Sequence, residues 1–182
     1  MMLKKIIATL AVFAAVSGFT APSANAFNVG NFGGRVLSES RAPKGYVAFC
    51  RSNPSECKAD GVGMVSYNSH IRSLITTVNN RVNRSMSARN DMGADVWTVN
   101  ATSGDCEDFA LTKRSQLIRA GVPAGALRMA VVVTPRGIGH AVLVVKTNRG
   151  EFVLDNLRKS IVKRNQTGYA FLRVASANPM RW

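Results

Sequence analysis

The sequence of 182 residues carries 24 lysines and arginines against 10 aspartates and glutamates, which gives a formal net charge of +14. The basic residues are scattered and form no dense run, so a solvated basic surface explains the charge better than a nucleic-acid-binding patch. We therefore expect no nucleic acid as a partner, and the length suits one compact domain.

The first 26 residues have the pattern of a secretory signal peptide. Two lysines precede an apolar run over residues 6–15, and Asn25 stands between two alanines, the small-residue pattern that signal peptidase cleaves. The alternative is a membrane anchor, but a span takes about 20 apolar residues. We predict cleavage between Ala26 and Phe27. Removal of two lysines and no carboxylate leaves a soluble, exported domain over residues 27–182 with a net charge of +12.

Residues 27–69 are rich in Gly, Asn, Ser and Pro and show little periodicity, so we predict loops there. Cys50 and Cys57 lie on either side of an Asn-Pro turn in this segment. Exported proteins form disulfides, and a Cys50–Cys57 bridge would stabilise the fold by roughly 2–3 kcal/mol. The third cysteine, Cys106, is then unpaired. An unpaired thiol in an exported protein is either a liability to that protein or a reactive group that it uses.

Two helices are predicted next. Apolar residues recur at helical spacing over residues 71–86, with arginines and asparagines on the other face, so we predict an amphipathic helix that begins near His70. A loop over residues 90–103 follows. A second helix begins around Gly104–Asp105 and ends at the Gly-Val-Pro segment of residues 121–123.

The remainder of the chain has the short, β-branched runs that are typical of strands. The predicted strands are Leu127 to Val133, His140 to Val145, Glu151 to Asn156, and two shorter ones at Ser160 to Val162 and Tyr169 to Val174. Helices followed by an antiparallel sheet predict a single α+β domain without internal repeats.

Cys106 begins the second predicted helix, and a thiol nucleophile needs a base that a third group orients. Of the two histidines, His70 is most simply a surface residue, whereas His140 opens a strand after a glycine loop. Either two-residue turn that includes Asn148 puts His140 and Asp155 on one face of a hairpin, directly opposed or one diagonal step apart. A three-residue turn would separate them. The spacing favours a Cys106–His140–Asp155 triad over three unrelated structural residues.

Three segments resemble the bacterial transglutaminase-like cysteine proteinases. They are "GDCEDFALTKRSQLIRAGVP", "HAVLVV" and "FVLDNL", and the resemblance runs from about "FCRSNPSEC" to Trp182. The family includes periplasmic proteases that release large surface adhesins. The resemblance implies a papain-like, transglutaminase-type fold. It also implies that the protein is located in the periplasm. It also implies Cys106 as nucleophile, His140 as general base and acid, and Asp155 as the residue that orients His140.

Calcium is implied by the same resemblance, because adhesin-cleaving members bind it through the acidic residues that flank the cysteine, here Asp105 and Glu107. From spacing alone, an N-cap at Asp105 with carboxylates that complement the helix dipole is the better explanation. The resemblance favours Ca²⁺, with further oxygen ligands from the protein and water. No organic cofactor is expected. Trp97 is a candidate oxyanion donor or cleft wall, and equally a packing tryptophan.

The sequence thus predicts an exported cysteine endopeptidase that cleaves a periplasmic or cell-surface protein, such as a large adhesin, through a thioester intermediate. Some relatives are held inactive by an inner-membrane receptor that senses a cyclic dinucleotide, so the resemblance alone adds such a receptor as a regulatory partner. Two alternatives stay open. One is a transglutaminase or amidase with the same triad, and the other is a non-catalytic module that binds anionic surface polymer.

Overall fold

The computed structural model describes residues 41–182, so the predicted signal peptide and its cleavage point lie outside the described residues. Its helices are α1 (Lys44–Ser52), α2 (Ser69–Ser85) and α3 (Cys106–Arg119). Its strands are β1 (Ser87–Ala88), β2 (Ser103–Gly104), β3 (Leu127–Val133), β4 (Gly139–Thr147), β5 (Gly150–Leu154), β6 (Val162–Lys163) and β7 (Ala170–Val174). Within this described part, no helix has both the length and the apolar character that a membrane crossing requires.

Five strands form one antiparallel sheet in the order β6-β5-β4-β3-β7. The two helices predicted from residues 71–86 and from Gly104–Asp105 precede this sheet as α2 and α3, and they pack against each other. The predicted α+β class, with helices packed on an antiparallel sheet, is therefore confirmed.

The sheet buries both of its faces. On one face, residues such as Leu143 and Val145 join a large core with the buried side chains of the helices. On the other face, Val142 and Val144 belong to a second apolar cluster against which Tyr169 packs. Burying an aliphatic side chain of this size stabilises the fold by about 1.5–3 kcal/mol. Because side chains alternate along a strand, His140 lies on the same face as Val142 and Val144.

Helix α1 was not expected, because residues 27–69 were predicted to be loops. Tyr46, Phe49 and Cys50 are its buried residues, and their spacing is that of one helical face. The helix is short and contains Gly45, a poor helix former, so its periodicity is weak in the sequence. Gly45 is required where it stands, since a Cβ there would clash with the Trp97 ring. The loop prediction is therefore wrong for Lys44–Ser52.

The predicted Cys50–Cys57 disulfide is present. It joins α1 to the short 3₁₀ turn of Pro54–Cys57. From that turn, Glu56 accepts a hydrogen bond from the Ser115 hydroxyl at 2.6 Å, and its main-chain carbonyl accepts one from the guanidinium of Arg114. Both partners belong to α3, so the disulfide turn anchors the N-terminal segment on the helix that begins with Cys106.

Candidate active site

Cys106 is the first residue of α3, and its thiol is free and half-buried. The chain reaches α3 through β2, which pairs in parallel with β1. Gly104 at the end of β2 allows a close approach, because a Cβ there would lie 2.7 Å from the Cβ of Asp108. Asp105 holds the predicted N-cap position but makes no side-chain capping hydrogen bond. The thiol thus stands at a helix N-terminus, where unpaired backbone N–H groups favour negative charge.

Asp108 fastens the loop before α3 to the helix. Its buried carboxylate accepts hydrogen bonds from the Thr98 N–H at 2.7 Å and from the Thr98 hydroxyl at 3.0 Å. Burial raises the pKa of Asp108, and the two hydrogen bonds from Thr98 act against that shift. From the sequence, the carboxylates of this helical turn were expected only to complement the helix dipole, so the role of Asp108 in holding the loop was missed.

The β4–β5 hairpin brings His140 and Asp155 together. Its loop is the two-residue Asn148-Arg149 turn, and Leu143 faces Leu154 across the strands. This register puts His140 and Asp155 one diagonal step apart, which is the second of the two predicted arrangements. The Nε2 atom of His140 lies 2.8 Å from Oδ1 of Asp155, and both side chains are buried. With Nε2–H donating to this carboxylate, the lone pair of the neutral ring is on Nδ1.

Asp155 is held in its ionised form. Burial by itself would raise the pKa of Asp155, but hydrogen bonds from His140, from the Tyr169 hydroxyl at 2.6 Å and from the Leu157 N–H at 2.9 Å outweigh it. The pKa of Asp155 therefore lies below its usual range. A buried carboxylate with this many donors is fixed in place as well as charged, so it determines the orientation of the His140 ring.

Two supporting residues were not found from the sequence. Tyr169, which donates to Asp155, also packs edge-on against the His140 ring with the centroids 6.0 Å apart. Asn83 of α2 donates to the main-chain carbonyls of Asp155 at 2.8 Å and Arg158 at 3.1 Å. Neither residue belongs to a local motif, because each acts across elements far apart in the chain.

The Cys106 thiol lies between a carboxylate and a backbone amide. It donates to Oε2 of Glu107 at 3.0 Å and accepts from the N–H of Ala141, the residue after His140, at 3.3 Å. Burial, and then the negative charge and hydrogen bond of Glu107, raise the pKa of Cys106, while the Ala141 N–H acts in the opposite direction. The protein alone therefore favours the neutral thiol, and ionisation requires a positive charge nearby.

Cys106 and His140 line one cleft of about 680 Å³. Its walls come from the residues after β1, the start of α3, the β3–β4 turn and the loop after β5. The thiol is neither disulfide-linked nor fully buried. The fold therefore presents a sulfur atom and an imidazole ring to a space that a substrate can enter.

Acidic side chains gather beside the cysteine. One carboxylate oxygen from each of Asp91, Asp95 and Asp105 lies within 4.8 Å of the other two. Oδ1 of Asp105 is buried without a hydrogen-bond partner. Burial, together with the neighbouring Glu107 and Asp91, raises the pKa of Asp105 to about 7. These oxygen donors and this unpaired oxygen fit a hard cation such as Ca²⁺.

The sequence named only Asp105 and Glu107 for this cluster. Asp91 and Asp95 approach because β1 and β2 pair and close the loop between them, which the Arg89 N–H reinforces by donating to the Gly104 carbonyl at 2.8 Å. Strands of two small residues leave no recognisable pattern in a sequence, so the pairing could not be foreseen.

Trp97 lies in the aromatic core rather than on the cleft. It is 6% exposed, and its ring packs against Tyr46 and Trp182 with centroid distances of 5.6 and 6.5 Å. It is not among the residues that line the cleft with Cys106. Of the roles considered for Trp97, this position fits the packing tryptophan.

The family model for bacterial transglutaminase-like cysteine proteinases matches residues 36–182. The chain belongs to this family. No match was found among curated proteins.

Solved structures of LapG from Legionella pneumophila share the fold. The calcium-bound form is 24% identical with a TM-score of 0.54 and covers 59% of this chain and 66% of LapG. A second LapG structure is 25% identical with a TM-score of 0.53 and covers 59% and 64%, respectively. An EGTA-treated form is 25% identical with a TM-score of 0.50 and covers 57% and 62%. The match thus spans somewhat less than two thirds of LapG.

Proposed function

We propose that this protein is an exported cysteine endopeptidase that cleaves a protein of the periplasm or cell surface. The observation that supports this most strongly is the free Cys106 thiol in the same cleft as the buried His140–Asp155 pair. Family membership supports the same reaction class. A large surface adhesin as substrate, and control by an inner-membrane receptor, remain expectations from the family resemblance.

The proposed reaction is acyl transfer in two steps. His140 accepts the Cys106 proton at Nδ1, the thiolate attacks the substrate carbonyl carbon, and the leaving amine takes the proton back from His140. His140 then deprotonates water, which attacks the thioester and releases the acid and the free thiol. Asp155 keeps the proton on Nε2 and stabilises the imidazolium. The Cys106 backbone N–H, at the helix N-terminus, is the proposed donor to the oxyanion.

The acidic cluster is the proposed calcium site. Asp91, Asp95, Asp105 and Glu107 would hold the ion, and the calcium-bound state of one LapG structure supports this choice of metal. When bound, Ca²⁺ would neutralise the carboxylates beside Cys106 and so favour the thiolate. The orphaned Oδ1 of Asp105 would gain a partner.

Incubation of the protein with a cell-envelope fraction from the bacterium that produces it tests the proposal. Mass spectrometry should find new N-termini after incubation with the wild-type domain and none with Cys106→Ala, and circular dichroism should confirm that the variant folds. Undiminished cleavage by folded Cys106→Ala would overturn the proposal. Cross-linked products with an added primary amine, in place of shortened proteins, would instead establish the transglutaminase alternative.

A further inference from the structure

The cleft that contains Cys106 and His140 is lined by three arginines, Arg89, Arg136 and Arg158. Asp105, which belongs to the acidic cluster, is the one carboxylate among the lining residues of the described chain. A peptide that enters this cleft therefore meets more positive than negative side chains away from the acidic cluster.

The arginines divide into one that is engaged and two that are available. Arg158 stacks on the Tyr169 ring and donates to the Thr167 carbonyl at 2.6 Å, so it supports the loop after β5. Arg89 and Arg136 are exposed, and within residues 41–182 neither guanidinium makes a hydrogen bond or an ion pair. A guanidinium without a partner at the edge of a cleft is suited to bind a carboxylate through two parallel hydrogen bonds.

The backbones that carry the two available arginines are fixed. The Arg89 N–H donates to the Gly104 carbonyl, next to the segment that leads into Cys106. Arg136 lies in the tight turn before β4, where the Gly137 N–H donates to the Thr134 carbonyl at 2.9 Å. We call the side of the cleft that carries Asp105 and Cys106 the cysteine wall, and the side that carries His140 and its partner Asp155 the histidine wall. Arg89 belongs to the cysteine wall and Arg136 to the histidine wall, so each wall contributes one available arginine.

A second groove, next to the cleft, is also lined by basic side chains. It has a volume of about 650 Å³, shares Asn156, Leu157 and Arg158 with the cleft, and is lined further by Arg84 and Lys159. No carboxylate is among its lining residues in the described part of the chain. A substrate that continues past Arg158 would therefore stay in contact with positive side chains.

We propose that the cleft selects peptide segments with Asp or Glu on both sides of the scissile bond, and that Arg89 and Arg136 bind the carboxylates of these side chains. This specificity rests on the proposed peptidase function. A segment with lysines or arginines at the same places is disfavoured by repulsion from both walls.

Peptide binding to the inactive Cys106→Ala protein tests the charge selection without any need for catalysis. Fluorescence anisotropy at about 0.1 M NaCl compares a short Gly/Ala/Ser peptide that has two glutamates in each half with the same peptide carrying glutamines. The glutamate peptide should bind about tenfold more tightly, as expected for two partly screened charge-assisted pairs. Arg89→Glu or Arg136→Glu, introduced singly, should remove most of this preference.

The control variant is Arg72→Glu, which changes the net charge equally at an exposed position on α2, outside the cleft. It should keep the preference for the glutamate peptide. Equal binding of the two peptides, or an equal loss of preference in Arg72→Glu, would overturn the proposed selection, because the general basic charge of the protein would then explain any binding.

Cleavage of a proteome-derived peptide library separates this inference from the proposed function. Sites cut by the wild type and not by Cys106→Ala should be enriched in Asp and Glu on both sides, and Arg89→Glu/Arg136→Glu should lose this enrichment. Cleavage that depends on Cys106 without acidic enrichment would refute the specificity and leave the peptidase standing. Absence of such cleavage would count against the peptidase, and the binding experiment alone would then decide the charge selection.

Discussion

The two walls of the candidate active site differ in how completely their polar groups are satisfied. On the histidine wall, Asp155 has hydrogen-bond donors on both oxygens and its pKa is lowered. On the cysteine wall, Asp105 has an unpaired buried oxygen, and the pKa values of Asp105 and Cys106 are raised. The protein chain alone therefore satisfies the hydrogen-bonding groups of the proposed base His140 and of its carboxylate partner Asp155, whereas the surroundings of the proposed nucleophile Cys106 carry negative charge that the chain does not neutralise.

Among variants that keep Cys106, the largest expected effect comes from removing the Asp155 carboxylate, the proposed orienting group. Asp155→Ala should lower kcat/KM by about 10³-fold, because His140 loses both its tautomer control and the charge that stabilises the imidazolium. Asp155→Asn, which keeps a hydrogen-bond acceptor, should retain more activity. The measurement is the rate of peptide cleavage by variants whose thermal unfolding resembles that of the wild type. Activity of Asp155→Ala within a few-fold of wild type would show that the histidine wall does not act as described.

Binding of Ca²⁺ at the cysteine wall should stabilise the fold against thermal unfolding. Saturating Ca²⁺ should raise the midpoint of thermal unfolding by about 5 °C, since an ion that binds only the folded state stabilises it. Asp95→Ala should remove most of this response, because it deletes one of the three clustered carboxylates. Mg²⁺ is the control, since it is smaller and demands a stricter octahedral geometry. An identical calcium response in Asp95→Ala would show that the ion binds elsewhere.

Lys113 of α3 makes the stability of the fold depend on pH. It is fully buried without a hydrogen bond for its ammonium, and burial lowers the pKa of Lys113 to about 7, although the Asp155 carboxylate raises it in part. In the unfolded chain the same group keeps its proton to about pH 10.4. Unfolding therefore takes up a proton between these pH values, and the free energy of unfolding should rise with pH by at most about 1.4 kcal/mol per pH unit.

Denaturant unfolding at several pH values checks the effect of Lys113. Lys113→Met should be more stable than the wild type at pH 7, and the difference should shrink as the pH rises. Lys44→Met, at an exposed position on α1, is the matched control. If the curves for Lys113→Met and wild type run parallel over this range, the ammonium is not the cause.

The smallest effect is expected at Tyr169. Tyr169→Phe removes the hydroxyl that donates to Asp155 and should lower kcat about fivefold, with KM unchanged. Loss of this hydrogen bond should also raise the pKa of Asp155 and therefore move the acid limb of the pH–rate profile to higher pH. Tyr67→Phe, whose ring stacks on Phe152 away from the site, should leave the profile unchanged. If the acid limb does not shift in Tyr169→Phe, the hydroxyl has no effect on Asp155 and Tyr169 contributes only by packing.

The histidine wall could be predicted from the sequence, whereas the cysteine wall could be predicted only for Cys106 at its helix start and for the neighbouring Asp105 and Glu107. The His140–Asp155 contact follows from two strands and a two-residue turn, all of which are local patterns. The approach of Asp91 and Asp95 to Asp105 depends on the pairing of β1 and β2, two residues each, which has no sequence signal. Tyr169 and Asn83 were missed for a related reason, since each reaches the site from a distant element.

The rate at which iodoacetamide alkylates Cys106 tests most directly whether the thiol and the imidazole act together. Intact-mass spectrometry at neutral pH should detect one adduct at Cys106 in the wild type. His140→Ala should react at least about tenfold more slowly, because the thiolate loses its imidazolium partner. Equal alkylation rates in wild type and folded His140→Ala would contradict the account.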